Sequence, residues 1–214
     1  MTRKIRNSCL FVLAVAALNG CMGYAPAIGP DDALVPAKGF LYGRFSRERG
    51  GNLGATQMGV VVTSVDKKRE IALRFEQDLD PYAVAVEPGD YQVTHFIQTQ
   101  SADNHTIGEQ PFPAELSRRV MHVEAGKAYY IGDYDGAMKS TFMVLFIGHE
   151  WGIGKITNDF DGTTAKLNAL LPQMKSMPKV DVFGDSLLRA FSRSDTPKTD
   201  VNRATTPILL PPTK

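Results

Sequence analysis

Cysteine is scarce in this sequence, with only Cys9 and Cys21 among 214 residues. Two cysteines exclude a disulfide-rich scaffold and a zinc site built from several thiolates. An excess of charge of one sign is also missing, because 24 basic residues face 23 acidic ones. A nucleic-acid-binding domain would carry a basic face and a high isoelectric point. Nucleic acid is therefore not an expected partner.

Familiar catalytic motifs are missing as well. The sequence contains no Gly-x-Ser-x-Gly, no P-loop and no Gly-x-Gly-x-x-Gly, the patterns of hydrolase nucleophiles and nucleotide phosphate loops. The glycine-rich stretch from Gly148 to Gly154 lacks the Lys-Ser/Thr that a P-loop needs. We therefore expect a protein that is not an enzyme and that needs no cofactor or metal. An active site assembled from distant strands remains an alternative.

The first twenty residues have the pattern of a signal peptide. Arg3, Lys4 and Arg6 precede ten apolar residues, Cys9 to Leu18, and a basic region followed by a short apolar run is typical of secretory signals. Ten helical residues span about 15 Å, half of the bilayer hydrocarbon. This segment is therefore too short for a permanent transmembrane anchor, and no later run reaches 18 apolar residues.

The signal ends in Leu18-Asn19-Gly20-Cys21, which resembles the lipobox of bacterial lipoproteins. The resemblance implies cleavage after residue 20 and a diacylglycerol on the Cys21 thiol, a reaction that requires a nucleophilic thiolate. Met22 in place of Asp implies sorting to the outer membrane, with the domain facing the periplasm and surface display left open. The alternative is an ordinary signal peptide cleaved after Ala25-Pro26-Ala27.

Two segments of the exported chain lack a periodic apolar pattern. Residues 21–37 are rich in Gly, Pro and Ala, and we predict a flexible tether that begins at the lipidated Cys21. Residues 192–214 are rich in Pro and Thr, and we predict a disordered tail.

Between these segments, residues 38–157 are dominated by strand patterns. Short β-branched and aromatic runs alternate with Gly or Pro turns, and no helical pattern separates them. The pattern predicts a mainly β fold, an antiparallel β-sandwich of about seven to nine strands. The runs begin near Phe40, Val60, Ile71, Tyr82, Tyr91, Val120, Tyr129, Thr141 and Trp151.

Two turns share one sequence pattern. Val86-Glu87-Pro88-Gly89 and Val123-Glu124-Ala125-Gly126 each reach a tyrosine, Tyr91 or Tyr129, within three residues. Gly permits the positive φ of a tight turn. We expect each tyrosine hydroxyl to bond back across its turn, as in the tyrosine corner of immunoglobulin-like sandwiches.

Residues 158–191 favour helix. Asp161 or Thr163 is the predicted cap of a helix that Pro172 ends or kinks, and Asp185 is the predicted cap of a second short helix. We expect this segment to pack on the sandwich.

The lipobox-like signal, the turn around Gly89 and the run Ala125 to Gly132 together resemble a group of bacterial lipoproteins of unknown function. The resemblance covers roughly residues 38–175 and implies an immunoglobulin-like or transthyretin-like β-sandwich. Its motifs describe turns, so it implies no catalytic residues.

The candidate ligand site is His149-Glu150-Trp151, which follows the most apolar predicted strand. Trp151 is the only tryptophan, and it is expected either to stack on a ligand such as a sugar or to pack over the end of the sandwich. The other histidines, His95, His105 and His122, show no metal-ligand spacing.

The sequence thus predicts a lipid-anchored envelope protein whose non-catalytic sandwich binds another envelope protein or a glycan. The alternative is a module that binds a small ligand or a metal near His149, Glu150 and Trp151. Two basic stretches remain unassigned. Lys67-Lys68-Arg69-Glu70 is interpreted as a charged, solvated turn between two strands. Arg44, Arg47 and Arg49 are interpreted as part of a mobile polar hairpin loop that touches anionic lipid or lipopolysaccharide.

Overall fold

A computed structural model describes the backbone of residues 23–50, 56–76, 80–100, 104–143, 146–193 and 206–207, and the side chains of most of them. The described chain is mainly β, with two packed sheets and three short helices. The predicted β-sandwich with C-terminal helices is confirmed.

The strands fall into two sheets. Sheet I has the order β11-β9-β8-β1-β4, with β10 also paired to β8, and sheet II has the order β3-β2-β5-β6, with β7 also paired to β5. The strands are β1 (Gly39–Gly50), β2 (Thr56–Ser64), β3 (Glu70–Arg74), β4 (Tyr82–Val86), β5 (Gly89–Gln100), β6 (Thr106–Pro111), β7 (Met121–Val123), β8 (Ala128–Met143), β9 (Phe146–Thr157), β10 (Lys179–Asp181) and β11 (Thr206–Pro207).

The centre of sheet I differs from the antiparallel expectation. β1 and β8 run parallel, from the pair Phe40–Ala128 to the pair Gly50–Lys139. Parallel strands need a long connection, and here the intervening chain builds all five described strands of sheet II and β4 of sheet I. Turn patterns report neighbouring strands only, so the sequence could not show this pairing.

The hairpin of β8 and β9 also corrects one prediction. The apolar run from Thr141 to Ile147 has the sequence pattern of one strand, but Met143 pairs with Phe146. The chain therefore reverses within this apolar run, and Phe142 pairs with Ile147 instead of continuing along the same strand.

Aromatic rings fill the space between the sheets. Phe45 and Phe75 lie 5.9 Å apart between centroids, and both contact the fully buried Tyr134. Phe96 meets Tyr134 edge-on at 5.6 Å. Ring pairs of this kind stabilise a core beyond their buried area.

Both predicted tyrosine corners are present. The Tyr91 hydroxyl donates to the Glu87 carbonyl at 2.9 Å, and the Tyr129 hydroxyl accepts from the Glu124 amide at 2.9 Å. Gly126 has a φ of 73°, a value that favours glycine.

A helical layer covers the outer face of sheet I. Helix α2 (Phe160–Leu170) packs Leu167 against Tyr42 and Tyr130. Its N-cap is Asp159, whose carboxylate accepts from the Gly162 amide at 3.2 Å. The predicted caps Asp161 and Thr163 are therefore wrong by a few residues. The helix ends before Pro172, which begins a 3₁₀ turn, as predicted.

Two further helices lie beside the main core. Helix α3 (Ser186–Arg193) follows Asp185 as predicted, and its Leu187 joins the main core. Helix α1 (Ala114–Ser117) is a single turn after Pro113 that the sequence did not predict.

Only part of the predicted C-terminal tail lies within the described residues. Helix α3 continues to Arg193, and Thr206 and Pro207 pair antiparallel with Ile147 and Phe146. These few residues are therefore ordered against the fold. The remainder of 192–214 lies outside the described residues.

Candidate functional site

The N-terminal segment is attached to the sandwich, in contrast to the predicted tether. Tyr24 forms a parallel bridge with Ala72, and the Ala25 amide donates to the Ala72 carbonyl at 2.8 Å. The Ile28 amide then donates to the Ala83 carbonyl of β4 at 2.8 Å. The segment therefore crosses from the edge of sheet II to the edge of sheet I, where unpaired backbone groups are satisfied.

Tyr24 is the centre of this attachment. Its ring lies over Gly59, where an added Cβ would be 2.5 Å from a ring carbon. Its hydroxyl lies 3.0 Å from the Thr99 hydroxyl, and burial raises its pKa. The absence of a side chain at Gly59 makes room for the ring, and the hydrogen bond with Thr99 holds the hydroxyl. Together they fix one orientation of the Tyr24 side chain.

Beneath Tyr24 lies a small apolar cluster on the outer face of sheet II. Val61, Ala72 and Ile97 are fully buried and separate from the main core, and Tyr24 packs against them. Residues on neighbouring strand positions face the main core instead, as strand alternation requires. The ring of Tyr24 therefore shields an apolar patch that the two-sheet core does not need.

The segment continues along the helical layer. The Gln173 amide donates to the Gly29 carbonyl at 2.9 Å, and the Gly29 amide donates to the Asp32 carboxylate at 2.6 Å. Ile28 and Leu34 pack against the cluster under α2. This attachment could not be predicted from the sequence, because the apolar residues of the attached segment follow neither a strand period nor a helix period. The single aromatic residue, Tyr24, was the available signal.

Cys21 lies outside the described residues, three positions before Tyr24. Three peptide units span at most about 11 Å. Because the bridge to Ala72 is parallel, the chain reaches Tyr24 from the side of Glu70, where β3 begins. Gly23 therefore lies on the side of Tyr24 that faces the β2–β3 turn, residues 65–69.

The β2–β3 turn is well ordered and basic. The Ser64 hydroxyl donates to the Asp66 carboxylate at 2.6 Å, and the Lys68 amide donates to the same oxygen at 3.2 Å. These bonds lower the pKa of Asp66, the Ser64 hydroxyl most. Arg69 lies 5.6 Å from the Tyr91 ring centroid, a cation–π distance. Lys67 and Lys68 are left exposed at the tip.

The other predicted basic stretch is part of the sheet. Arg44 lies in β1 with its Nη1 3.2 Å from Asp135, and the buried Arg47 donates from Nη1 to the Thr56 carbonyl at 2.8 Å. These two side chains are held within the fold, so the predicted polar loop is wrong for them. Arg49 belongs to β1 as well.

The backbone of the predicted site His149-Glu150-Trp151 lies on β9. His149 is opposite Ser140, Glu150 opposite Lys139 and Trp151 opposite Met138. The side chains of His149 and Glu150 lie outside the described residues. Trp151 is half-buried and lies against Gly108 of β6. Its position fits the interpretation of a ring packed over the end of the sandwich.

The other histidines are dispersed. His122 Nδ1 lies 2.6 Å from Asp90 Oδ1 on the surface, and His95 Nδ1 lies 2.9 Å from the Thr94 hydroxyl. They are not cross-strand neighbours, because His95 is opposite Pro111. Among the residues that the structure describes, no three His, Cys, Asp or Glu side chains form a potential metal site.

A buried polar cluster fastens α2 to sheet I. The Asp133 carboxylate accepts from the Thr163 hydroxyl at 2.7 Å and from the Arg44 amide at 3.1 Å. Beside it, the Tyr42 and Thr164 hydroxyls lie 2.7 Å apart. Burial raises the pKa of Asp133, against the opposing effects of Thr163 and Arg44. Its partners are all structural, and a charged residue within an apolar strand was the signal in the sequence.

Two surface depressions are small and open. One, of about 310 Å³, lies between the attached segment and sheet I, near Leu34 and Phe40. The other, of about 190 Å³, lies between α1 and α3, near Arg119 and Ser186. The second is lined by Glu115, Arg119, Ser186 and Arg189, and the Arg119 guanidinium donates to the Ser186 hydroxyl at 2.9 Å.

The chain matches no known family model, no curated protein and no solved structure at a significant level. In the part of the chain that the structure describes, no helix has both the length and the apolar character needed to cross a bilayer.

Proposed function

We propose that this chain is a lipid-anchored protein of the bacterial outer membrane, held by a lipid on Cys21 and facing the periplasm. Its β-sandwich acts without catalysis, as an adaptor that binds another envelope protein. The basis is the resemblance of residues 18–21 to a lipobox, together with the attachment of the following segment to the sandwich.

The position of Tyr24 carries this proposal. Cleavage before Cys21 keeps Tyr24 and Ala25, whose contacts join the segment to sheet II. Cleavage after Ala27 would discard both residues and remove the ring from Val61 and Ile97. The rival signal-peptide site thus conflicts with the packing, and the lipobox site does not.

The attachment also sets the distance to the membrane. A flexible chain over residues 21–37 would span roughly 20–25 Å. The attached segment leaves at most about 11 Å between Cys21 and Tyr24. A domain held this closely acts at the membrane surface, which suits a structural or adaptor role.

The edge of sheet I offers a place for a partner. Strand β9 forms this edge, and within the described residues only the two-residue β11 pairs with it there. An extended segment of a partner protein binds such an edge through backbone hydrogen bonds. A glycan stacked on the exposed part of Trp151 is the other outcome that a test should distinguish.

The first experiment is intact-mass analysis of protein purified from membranes, wild type beside Cys21→Ala. A chain that begins at Cys21 and carries a diacylglycerol and an acyl chain, absent from the variant, supports the anchor. A soluble, unmodified chain that begins after Ala27 overturns it.

The adaptor role is tested by site-specific photocrosslinking in cells. A crosslinker at Lys155 on β9 should capture one defined envelope protein, and a crosslinker at Lys166 on α2 should not. Glycan-specific changes in Trp151 fluorescence, with no crosslink from Lys155, favour glycan binding instead. Turnover of an envelope substrate that is lost on changing individual polar residues contradicts the non-catalytic role.

A further inference from the structure

We infer that the β2–β3 turn, residues 65–69, lies against the headgroups of the bilayer that holds the lipid on Cys21. This inference rests on the proposed function, because it takes the lipid anchor as given. It adds a definite orientation of the sandwich on the membrane, set by the attached segment and the charges of one turn.

The direction of the chain brings the anchor to this turn. The bridge between Tyr24 and Ala72 is parallel, so Gly23 precedes Tyr24 in the same direction as Ile71 precedes Ala72. Gly23 is exposed, and no heavy atom comes within 4 Å of the position where its Cβ would be. From Ala72 to Arg69 is three residues, about 10 Å along a strand, which is the reach from Tyr24 to Cys21.

The turn has the composition of a surface that contacts anionic lipid. Lys67, Lys68 and Arg69 follow Val65, whose side chain is 47% exposed. Basic groups beside an anchor are attracted to anionic headgroups, and an exposed aliphatic side chain suits the interfacial region. Arg69 is steadied by the Tyr91 ring.

The acidic groups near this turn are mostly engaged. The Asp66 carboxylate accepts bonds from Ser64 and from the Lys68 amide, and it forms an exposed ion pair with the Lys68 ammonium at 3.5 Å. Glu87 is paired with Lys38, and Asp90 with His122. The exception is Glu70, at the start of β3, for which the structure shows no ion pair among the described residues. The turn and the first residue of β3 therefore carry three basic groups, Lys67, Lys68 and Arg69, and two acidic groups. Of the two acids, Asp66 is engaged and Glu70 forms no ion pair with the described residues.

The backbone of the turn supports a role at its tip. Lys67 has a φ of 55°, a left-handed conformation that favours glycine. The Lys67 amide donates to the Ser64 carbonyl at 2.8 Å, and the Arg69 amide donates to the Ser64 hydroxyl at 3.0 Å. A long basic side chain therefore occupies a position where the turn itself would be easier to build with glycine, and such strain is typical of functional positions.

The test places a fluorophore in the full lipidated protein. The thioether consumes the Cys21 thiol, so an introduced cysteine is the one free thiol of the chain after residue 20. Val65→Cys and Lys166→Cys are each labelled with an environment-sensitive dye and reconstituted in vesicles of phosphatidylethanolamine and phosphatidylglycerol, 3:1. Lys166 is the matched control, because it is exposed on α2, beyond the opposite sheet.

We expect headgroup spin labels to quench the dye at position 65 at least threefold more strongly than the dye at position 166. Equal quenching, or stronger quenching at position 166, overturns the inference. The intact mass of the same sample distinguishes a failure of the proposed function from a failure of the inference alone. An unlipidated chain overturns the proposed function and the inference together, whereas a lipidated chain with equal quenching overturns the inference alone.

Two variants test whether the short connection to the anchor and the basic residues of the turn cause this orientation. Twelve Gly and Ser residues inserted between Gly23 and Tyr24 should lower the quenching at position 65 to the control level, because the anchor no longer fixes the turn. Lys67→Gln with Lys68→Gln should lower it in phosphatidylglycerol vesicles, whereas Lys166→Gln with Lys175→Gln should not. Unchanged quenching in both test variants contradicts the proposed orientation.

Discussion

The hydroxyl of Tyr24 lies 3.0 Å from the hydroxyl of Thr99, and this bond joins the start of the domain to a strand 75 residues later in the chain. Thr99 is fully buried on the outer face of sheet II. A segment with the composition of a linker is thereby made part of the folded unit.

This bond predicts coupling between the two residues. Tyr24→Phe and Thr99→Val should each lower the free energy of unfolding by about 0.5–1.5 kcal/mol, and the double variant should lose less than the sum. Urea unfolding of the four proteins gives the coupling energy. Thr63→Val is the control, because Thr63 bonds Thr94 instead, and its effect should add to that of Tyr24→Phe. Full additivity of Tyr24→Phe with Thr99→Val would contradict the bond.

Gly59 is predicted to be intolerant of a side chain. A Cβ there would lie 2.5 Å from the Tyr24 ring and 2.7 Å from the Leu73 carbonyl oxygen. Gly59→Ala should therefore destabilise the protein by about 1–3 kcal/mol, measured by urea unfolding. Gly152→Ala, where nothing lies within 4 Å, should stay within about 0.5 kcal/mol of wild type. Equal effects at the two positions would show that Tyr24 does not lie over Gly59.

Gly108 is predicted to control the environment of Trp151. A Cβ at Gly108 would lie 2.7 Å from the indole nitrogen, so Gly108→Ala should displace the ring toward solvent. Because Trp151 is the only tryptophan, its emission reports the change directly. We expect a shift to longer wavelength in Gly108→Ala and none in Gly152→Ala. An unchanged spectrum in the first variant would place the indole away from β6.

The buried Asp133 predicts a particular pH dependence. Burial raises its pKa above the ordinary value of 3.8, so the folded state binds this proton more tightly than the unfolded state. The stability contributed by Asp133 is therefore greatest below about pH 4, falls as pH rises to the folded pKa, and is constant above it.

Urea unfolding of wild type and Asp133→Asn between about pH 3.5 and pH 7 isolates this contribution. The stability of wild type relative to the variant should fall as pH rises. Asp66→Asn gives the opposite sign, because hydrogen bonds lower the pKa of Asp66. Its contribution is present above the ordinary pKa and is lost as pH falls. A difference for Asp133→Asn that rises with pH would contradict the burial argument.

The sequence predicted local features well. The corners at Tyr91 and Tyr129, the end of α2 before Pro172 and the start of α3 after Asp185 depend on residues a few positions apart. Turn and cap chemistry is encoded over such short spans. The prediction of a β-sandwich followed from the same local evidence, repeated along the chain.

Features that join distant residues were not predictable. Nothing near Tyr24 indicates that it meets Gly59 and Thr99, and nothing near Arg44 indicates Asp133. The close approach of Trp151 to Gly108 of β6 also joins residues 43 positions apart, and no local pattern indicates it. The ligand site at His149, Glu150 and Trp151 stays a prediction, because the side chains of His149 and Glu150 lie outside the described ones.

The parallel pair of β1 and β8 has a consequence for folding. Arg44 meets Asp133 across 89 residues of sequence, and β1 cannot gain this neighbour until β8 is available. Contacts of such long range slow folding, because the loop must close before they stabilise anything. A chain that is released N-terminus first therefore remains incompletely folded until β8, more than halfway along the sequence, is free.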